Sequence, residues 1–374
     1  MSTVQVLICP DKFAGTIGAA EAARAIAAGW ASVAPGDVLE TRPLSDGGPG
    51  FLDVLAASVA GRRRPVRTTD PLGRPVTGEI LTISSRAYVE SAQACGLHLL
   101  ARDERNPLIT TSYGLGTLVS AAADAGATEI IIGLGGSATN DAGAGLLTGL
   151  GLVPVGADGA PLPDGGAALA GCDHLAGAVD RGDIRLTGAT DVDSPLIGRD
   201  GATAVYGPQK GASGPDIEVL EAALTHFVAV LERDLDVPGL ATRPGSGAAG
   251  GLGAAIIALG GTLVSGIGLV REATGLDAAL DAADLVITGE GSLDRQSLRG
   301  KVVAGVANAA RDRGVPCVAL VGANSAGRTE SLAAGLTEVF TLVEHFGSVD
   351  AAMARPAEGL FALAALLAKS DKRR

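Results

Sequence analysis

The strongest constraint on the fold is that both ends of the chain alternate short apolar runs with helical stretches, while the middle does not. Residues 4–9 (VQVLIC) end in Pro-Asp and predict a buried strand. An Ala-rich stretch with Glu21 and Arg24 on its polar side predicts a helix over 18–30. A second strand follows at 38–42 and a second helix at 50–59. Such a β-α-β-α start favours a parallel sheet with helices on its faces. The end of the chain returns to this style, with strands expected at 284–288, 316–321 and 338–342 and helices at 302–313 and 350–369. Between the ends, residues 62–69, 76–84 and 86–90 are short, β-rich and separated by Pro and Gly, which predicts antiparallel or mixed strands. Helical and strand patterns then alternate at 111–125, 129–134, 142–150, 184–190 and 217–235. The economical reading is an α/β protein of two domains, one inserted into the other: 1–65 plus 282–374 form the first and 66–281 the second. A length of 374 residues fits two domains.

Charge and cysteine usage exclude several classes. A net charge of −12 disfavours nucleic acid and anionic membrane as partners. Cys9, Cys95, Cys172 and Cys317 show no CxxC or Cys/His spacing, which argues against a disulfide scaffold or zinc finger and for a reducing, cytoplasmic setting. The start MSTVQVLICPDKF has neither a basic segment nor a long apolar run, so no secretory signal is expected. Residues 245–270 carry no charge and are long enough to span a bilayer, but nine of them are glycine. A glycine loop, a short buried helix and another loop are expected there.

Candidate chemistry gathers where Gly meets Asp, Ser, Thr or Lys after predicted strands. Five clusters qualify: Pro10 to Gly15, Ser45-Asp46-Gly47-Gly48, Gly135 to Asp141 with Ser137, Thr139 and Asn140, Gly245 to Gly253, and Thr288 to Asp294. Ligands of open α/β sheets bind beyond the carboxyl ends of strands, and glycine-loop amides attract phosphate. Gly245 to Gly253 holds five glycines in nine residues, more than glycine-rich composition explains. Its GSGAAG also matches GxGxxG, but no strand is expected before it, which weakens a dinucleotide reading. No Walker A loop and no HRD or DFG string occurs.

Lysine is rare: five against 24 arginines. Two lie in the tail, and the other three, Lys12, Lys210 and Lys301, each stand near a glycine. A lysine kept in an arginine-biased chain suggests a compact point charge for phosphate. Asp191 and Asp193 follow the 184–190 strand, Glu290 and Asp294 follow 284–288, and Asp46 follows 38–42. Phosphoryl transfer uses Mg²⁺ on oxygen ligands, cations on the phosphates and often a carboxylate that orients the accepting hydroxyl. Asp191 is best placed for that last task, since it ends a strand and opens a polar loop. The four histidines show no triad or ligand spacing and read as structural.

Together these segments resemble the bacterial type I glycerate kinases, the glycerate 2-kinase family. The strings that carry the likeness run in order along the chain: PDKFAGTIGAAEAARAI, PLSDGGPGFLDVL, GLGGSATNDAGAGLLTGLG, ATDVDSPLIGRDGATAVYGPQKGA, PGSGAAGGLGAA and DLVITGEGSLDRQSLRGK. Two departures stand out. The family often has Ser-Phe-Lys-Gly where this chain has Lys12-Phe13-Ala14-Gly15, and Glu where it has Pro49. The resemblance implies ATP- and Mg²⁺-dependent phosphorylation of D-glycerate. It also implies a flavodoxin-like domain built from both chain ends, an inserted α/β domain, and an active site in the cleft between them. For that reaction Asp191, Lys301 and Asp46 are the candidate catalytic groups. Asp11, Lys12, Gly47, Gly48, Ser137, Thr139, Asn140, Lys210, Gly247, Gly250 and Gly251 are the candidates for substrate and phosphate, and Asp193, Glu290 and Asp294 for the metal. The product is expected to be 2-phosphoglycerate rather than 3-phosphoglycerate. A non-catalytic nucleotide or metabolite sensor and an NAD-dependent oxidoreductase remain as alternatives, and monomer and homodimer are both open.

Overall fold

The structure is a computed structural model that describes residues 3–13, 15–179, 184–295, 297 and 302–370. The chain divides into two units: Met1–Asp46, Asp53–Val59 and Ile267–Arg374 form the first, and Gly47–Leu52 with Ala60–Gly266 form the second.

The first unit is built on a five-stranded sheet, all parallel. Its order is Glu338–Thr341, Cys317–Val321, Leu285–Thr288, Gln5–Ile8, Val38–Thr41. In order of position along the chain this is 2-1-3-4-5 read from the other edge, the flavodoxin-like arrangement. Leu285–Thr288 and Cys317–Val321 are buried at every position because helices cover both faces, which is why these strands read as unbroken apolar runs. The strand order reverses between Gln5–Ile8 and Leu285–Thr288, and the carboxyl ends of those two strands open the crevice where such sheets bind ligands.

On one face the helices Ala19–Ala31 and Pro356–Ser370 pack on each other and on the sheet. Trp30 is fully buried there, and its indole Nε1 donates to Asp37 Oδ2 at 2.8 Å. Gly29 lets the two helices meet: a Cβ at that position would lie 2.1 Å from the Phe361 carbonyl oxygen.

The second unit holds a six-stranded sheet in the order Thr262–Val264, Arg185–Ala189, Glu129–Gly133, Arg86–Glu90, Pro75–Ile83, Arg62–Thr69. The first four run parallel and the last two add antiparallel, so the expected mixed character resolves into an antiparallel edge on a parallel core.

Three expectations need correction. The boundaries at 65/66 and 281/282 shift. Arg62–Thr69 pairs along its whole length with Pro75–Ile83, so the long stretch of the second unit starts at Ala60. Leu276–Ala282 packs on the Gln5–Ile8 strand and so belongs to the first unit. The closing helix is broken into Val349–Ala354 and Pro356–Ser370, because Pro356 has no N–H to continue the ladder and Arg355 leaves the helical region at φ −134°. The loop expected after the buried helix of 245–270 contains an edge strand, Thr262–Val264, held by its parallel partner Arg185–Ala189. Among the described residues no helix is long and apolar enough to cross a membrane.

Helix propensity alone would favour Gly29→Ala by about 1 kcal/mol. The contact with the Phe361 backbone reverses the sign, and the variant should lose about 1–3 kcal/mol in urea unfolding as overpacking forces the helices apart. A stabilised variant would show that the two helices yield freely.

Candidate active site

In the first unit, pairing continues past the ends of the strands. Cys9 N donates to Ile287 O and Asp11 N to Gly289 O, both at 2.8 Å. On the other side Arg42 N donates to Ile8 O at 2.8 Å and Leu44 N to Pro10 O at 2.9 Å. Asp11 is thus held between the segment that leads to Glu290 and the segment that leads to Asp46. Gly289 also lets its segment approach the neighbouring Cys317–Val321 strand, since a Cβ there would sit 2.1 Å from Leu320 O. Asp11, Lys12, Asp46, Glu290, Asp294 and Ser297 line one cavity of about 500 Å³.

Lys12 Nζ lies 3.3 Å from Asp46 Oδ1 and 3.7 Å from Asp11 Oδ1. It lies against two carboxylates here. Asp11 Oδ1 also accepts from the Lys12 amide at 2.7 Å. Burial pushes the Asp11 carboxyl up from 3.8 to about 6; Lys12 pulls it down and Asp46 pushes it further up. Asp294 Oδ1 accepts from Ser297 N at 2.8 Å and from Ser297 Oγ at 3.2 Å.

In the second unit, Thr190 N donates to Val264 O at 2.9 Å, which carries the edge pairing one residue beyond the strand. Asp191 and Ser265 therefore face each other, and Ser265 Oγ donates to Asp191 Oδ1 at 2.7 Å. Ser265 was not singled out in the sequence; its signal is a hydroxyl just beyond an edge strand in an uncharged stretch. Gly47 has φ +89°, and a Cβ on it would meet Ala189 O at 2.6 Å, so the Gly47-Gly48 loop lies close over the end of the Arg185–Ala189 strand.

Lys210 is buried, and its Nζ donates to Thr139 O at 2.7 Å and Ser137 Oγ at 3.0 Å. Burial lowers its pKa from 10.5 to about 8, against the pull of Asp141. Gly250 closes over it: a Cβ there would fall 1.9 Å from Thr139 O and 2.8 Å from Lys210 Nζ. Asn140 Nδ2 donates to Thr203 Oγ1 at 2.9 Å, while Thr139 Oγ1, Asn140 Oδ1 and Ser246 Oγ are buried with no hydrogen-bond partner among the described residues. Asp141, outside the candidate set, ties this loop together by accepting from Ser112 N, Ser112 Oγ, Gly143 N and Gly145 N.

The glycine loop itself is a packing device. Gly247 N donates to Ser194 O, and Gly250 N and Gly251 N donate to Gly247 O, so these amides are engaged within the protein. Side chains are barred at Gly247 by Pro195 O and at Gly251 by Ala142 Cα. Ahead of it stands the single turn Leu240–Thr242, not a strand, so GSGAAG lacks the setting of a dinucleotide site. Asp193 is exposed and lies in the second unit, whereas Glu290 and Asp294 lie in the first. Among the described residues no group of three or more metal-ligating side chains stands ready-made. Lys301 lies outside the described residues.

A model of the glycerate kinase family matches residues 6–370. The chain belongs to that family. Glycerate kinase from Halalkalibacterium halodurans is 41% identical over 354 residues, 93% of each chain. Glycerate 2-kinase from Escherichia coli is 38% identical over 355 residues, again 93% of each. The crystal structure of a protein described as glycerate kinase 2 from Salmonella typhimurium LT2 matches with a TM-score of 0.80 and 37% identity, over 99% of this chain and 98% of that one. The protein is thus an ATP-dependent kinase that transfers phosphate to an alcohol.

One cavity carboxylate of this kinase, Asp11, makes its stability depend on pH. A folded pKa near 6 against 3.8 means that Asp11 stabilises the native state fully below 3.8, and that this contribution is lost as pH rises through 6. Asp11→Asn removes the titration. Its stability relative to wild type should therefore rise by roughly 2–3 kcal/mol between pH 4 and pH 7 in urea unfolding. A constant difference would mean that Asp11 titrates in the folded protein as it does in water.

Proposed function

We propose that this kinase transfers the γ-phosphoryl group of ATP to the 2-hydroxyl of D-glycerate, giving 2-phosphoglycerate. The observation that carries the reading is the set of carboxylates, Asp11, Asp46, Glu290 and Asp294, lining one cavity at the switch point of a flavodoxin-like sheet. A site built only to bind anions gains nothing from four acids, whereas a site for a metal–nucleotide complex does. The names of the relatives support glycerate as the acceptor, and that of the Escherichia coli protein supports position 2.

Carboxylate oxygens suit Mg²⁺, which binds proteins through one or two of them and takes its other ligands from water and phosphate. Glu290 and Asp294 would hold it, and it would neutralise charge on the β- and γ-phosphates. Lys12 partly offsets the repulsion between Asp11 and Asp46. In the second unit Asp191 orients and deprotonates the glycerate hydroxyl, and Ser265 fixes the rotamer of its carboxylate. Lys210 holds the Ser137–Thr139 loop in shape, with one of its three N–H groups left for a substrate oxygen. We place the reaction in the cytoplasm.

Wild-type protein with ATP, Mg²⁺ and D-glycerate should give a phosphorus NMR spectrum of 2-phosphoglycerate. Sole formation of the 3-isomer would reject the regiochemistry, and no product would reject the acceptor. In the same assay Asp191→Asn should lower kcat by about 10²–10⁴ while ATP binding persists. A near-normal kcat in the folded variant would move the base to another carboxylate.

A further inference from the structure

The first-unit cavity has two chemically different ends. Along the sheet, Asp46 follows Val38–Thr41, Asp11 follows Gln5–Ile8, and Glu290 and Asp294 follow Leu285–Thr288. Toward the opposite edge, Gly322 follows Cys317–Val321, and Leu342 and Val343 follow Glu338–Thr341. Strands lie about 4.8 Å apart, so the lining crosses roughly 10–20 Å from the acidic strands to the far edge. The far end is completed by Val349, Ala352, Met353 and Pro356. Val349 and Met353 are 56% and 55% exposed, which leaves large apolar side chains facing an open cavity.

Glycerate cannot use such an end, since it has no apolar body. A nucleoside triphosphate has both parts: a flat, weakly polar base and an anionic, metal-binding tail. The cavity volume of about 500 Å³ is that of a small-molecule site. We propose that the Leu342, Val343, Val349 and Met353 end is the base subsite for ATP, with the phosphates directed toward Asp11 and Glu290, and that it reads the purine by shape alone. This rests on the kinase reading given above.

Shape reading follows from what the far end lacks. None of Leu342, Val343, Val349, Ala352, Met353 and Pro356 has a hydrogen-bonding side chain. The amides of Gly322, Ala323 and Val343 already donate to Glu290 O, Gly291 O and Gly322 O. Discrimination of 10⁴–10⁵ needs polar groups left unpaired by the wrong ligand, and among the described residues no polar side chain lines this end. ATP, GTP and ITP should therefore support phosphorylation with kcat/KM values within about tenfold of one another.

The test pairs nucleotide kinetics with binding of a non-hydrolysable ATP analogue plus Mg²⁺, measured by calorimetry. Met353→Glu and Val349→Glu place a carboxylate on the apolar wall at exposed positions that the fold tolerates. Each should weaken analogue binding and raise the KM for ATP by about tenfold or more, with kcat and the KM for D-glycerate within about twofold. Met353→Leu should retain wild-type affinity. Unchanged analogue binding in both Glu variants would overturn the subsite, and a preference for ATP over GTP beyond about a hundredfold would overturn reading by shape. Failure of the wild type to phosphorylate glycerate would reject the acceptor instead, and analogue binding would still decide the subsite.

Discussion

The parallel pairing of Gln5–Ile8 with Leu285–Thr288 is the contact on which the first unit depends. It sets Val6 opposite Leu285 and Ile8 opposite Ile287, so segments from the two ends of the chain become central neighbours in one sheet. Closing so long a loop is tolerable because the entropic cost grows only with the logarithm of loop length. The pairing also fixes where chemistry can occur. The strand order reverses between these two strands, and such a switch point is where open α/β sheets bind ligands. Asp11, Asp46 and Glu290 follow backbone bonds that extend this pairing or that of the neighbouring Val38–Thr41 strand, whereas Asp294 follows the pairing of Ser292–Leu293 with Ala323–Asn324.

That placement has an electrostatic consequence. Carboxylates brought together at strand ends repel, and burial of Asp11 adds to the cost of keeping it charged. A single ammonium, that of Lys12, partly offsets both effects. An unliganded site with surplus negative charge is poised for a cation that arrives with its own anion. A metal–nucleotide complex meets that description, and neither a bare phosphate nor a bare carboxylic acid does. The overall charge of −12 is then no obstacle to binding an anionic substrate, because recognition is local.

The two-unit α/β fold was legible in the sequence because its first sheet is covered on both faces. Strands such as Cys317–Val321 must then be apolar at every position, and such runs are easy to see. The candidate site was legible in part. Acids after strands, as at Asp46 and Glu290, follow from topology alone. What escaped was contact between distant segments. The approach of Lys12 to Asp46, at 3.3 Å, leaves no mark in the sequence, and Ser265 gains a partner only through the edge pairing that sets it against Asp191. The glycine loop is ambiguous for a different reason. A cradle for phosphate and a close approach of two backbones leave the same mark in a sequence, and at Gly247 and Gly250 the crowding atoms are Pro195 O and Thr139 O.

The central claim is that the carboxylates at the switch point receive the metal–nucleotide complex. Electron paramagnetic resonance of Mn²⁺ in place of Mg²⁺, titrated into the protein with a non-hydrolysable ATP analogue, tests it most directly. Loss of a charge-assisted ligand is worth about 1.5–3 kcal/mol, so Glu290→Gln and Asp294→Asn should each weaken the ternary complex by roughly 10- to 150-fold, with the fold intact by circular dichroism. Wild-type Mn²⁺ affinity in both variants would contradict the account and place the metal away from this cavity.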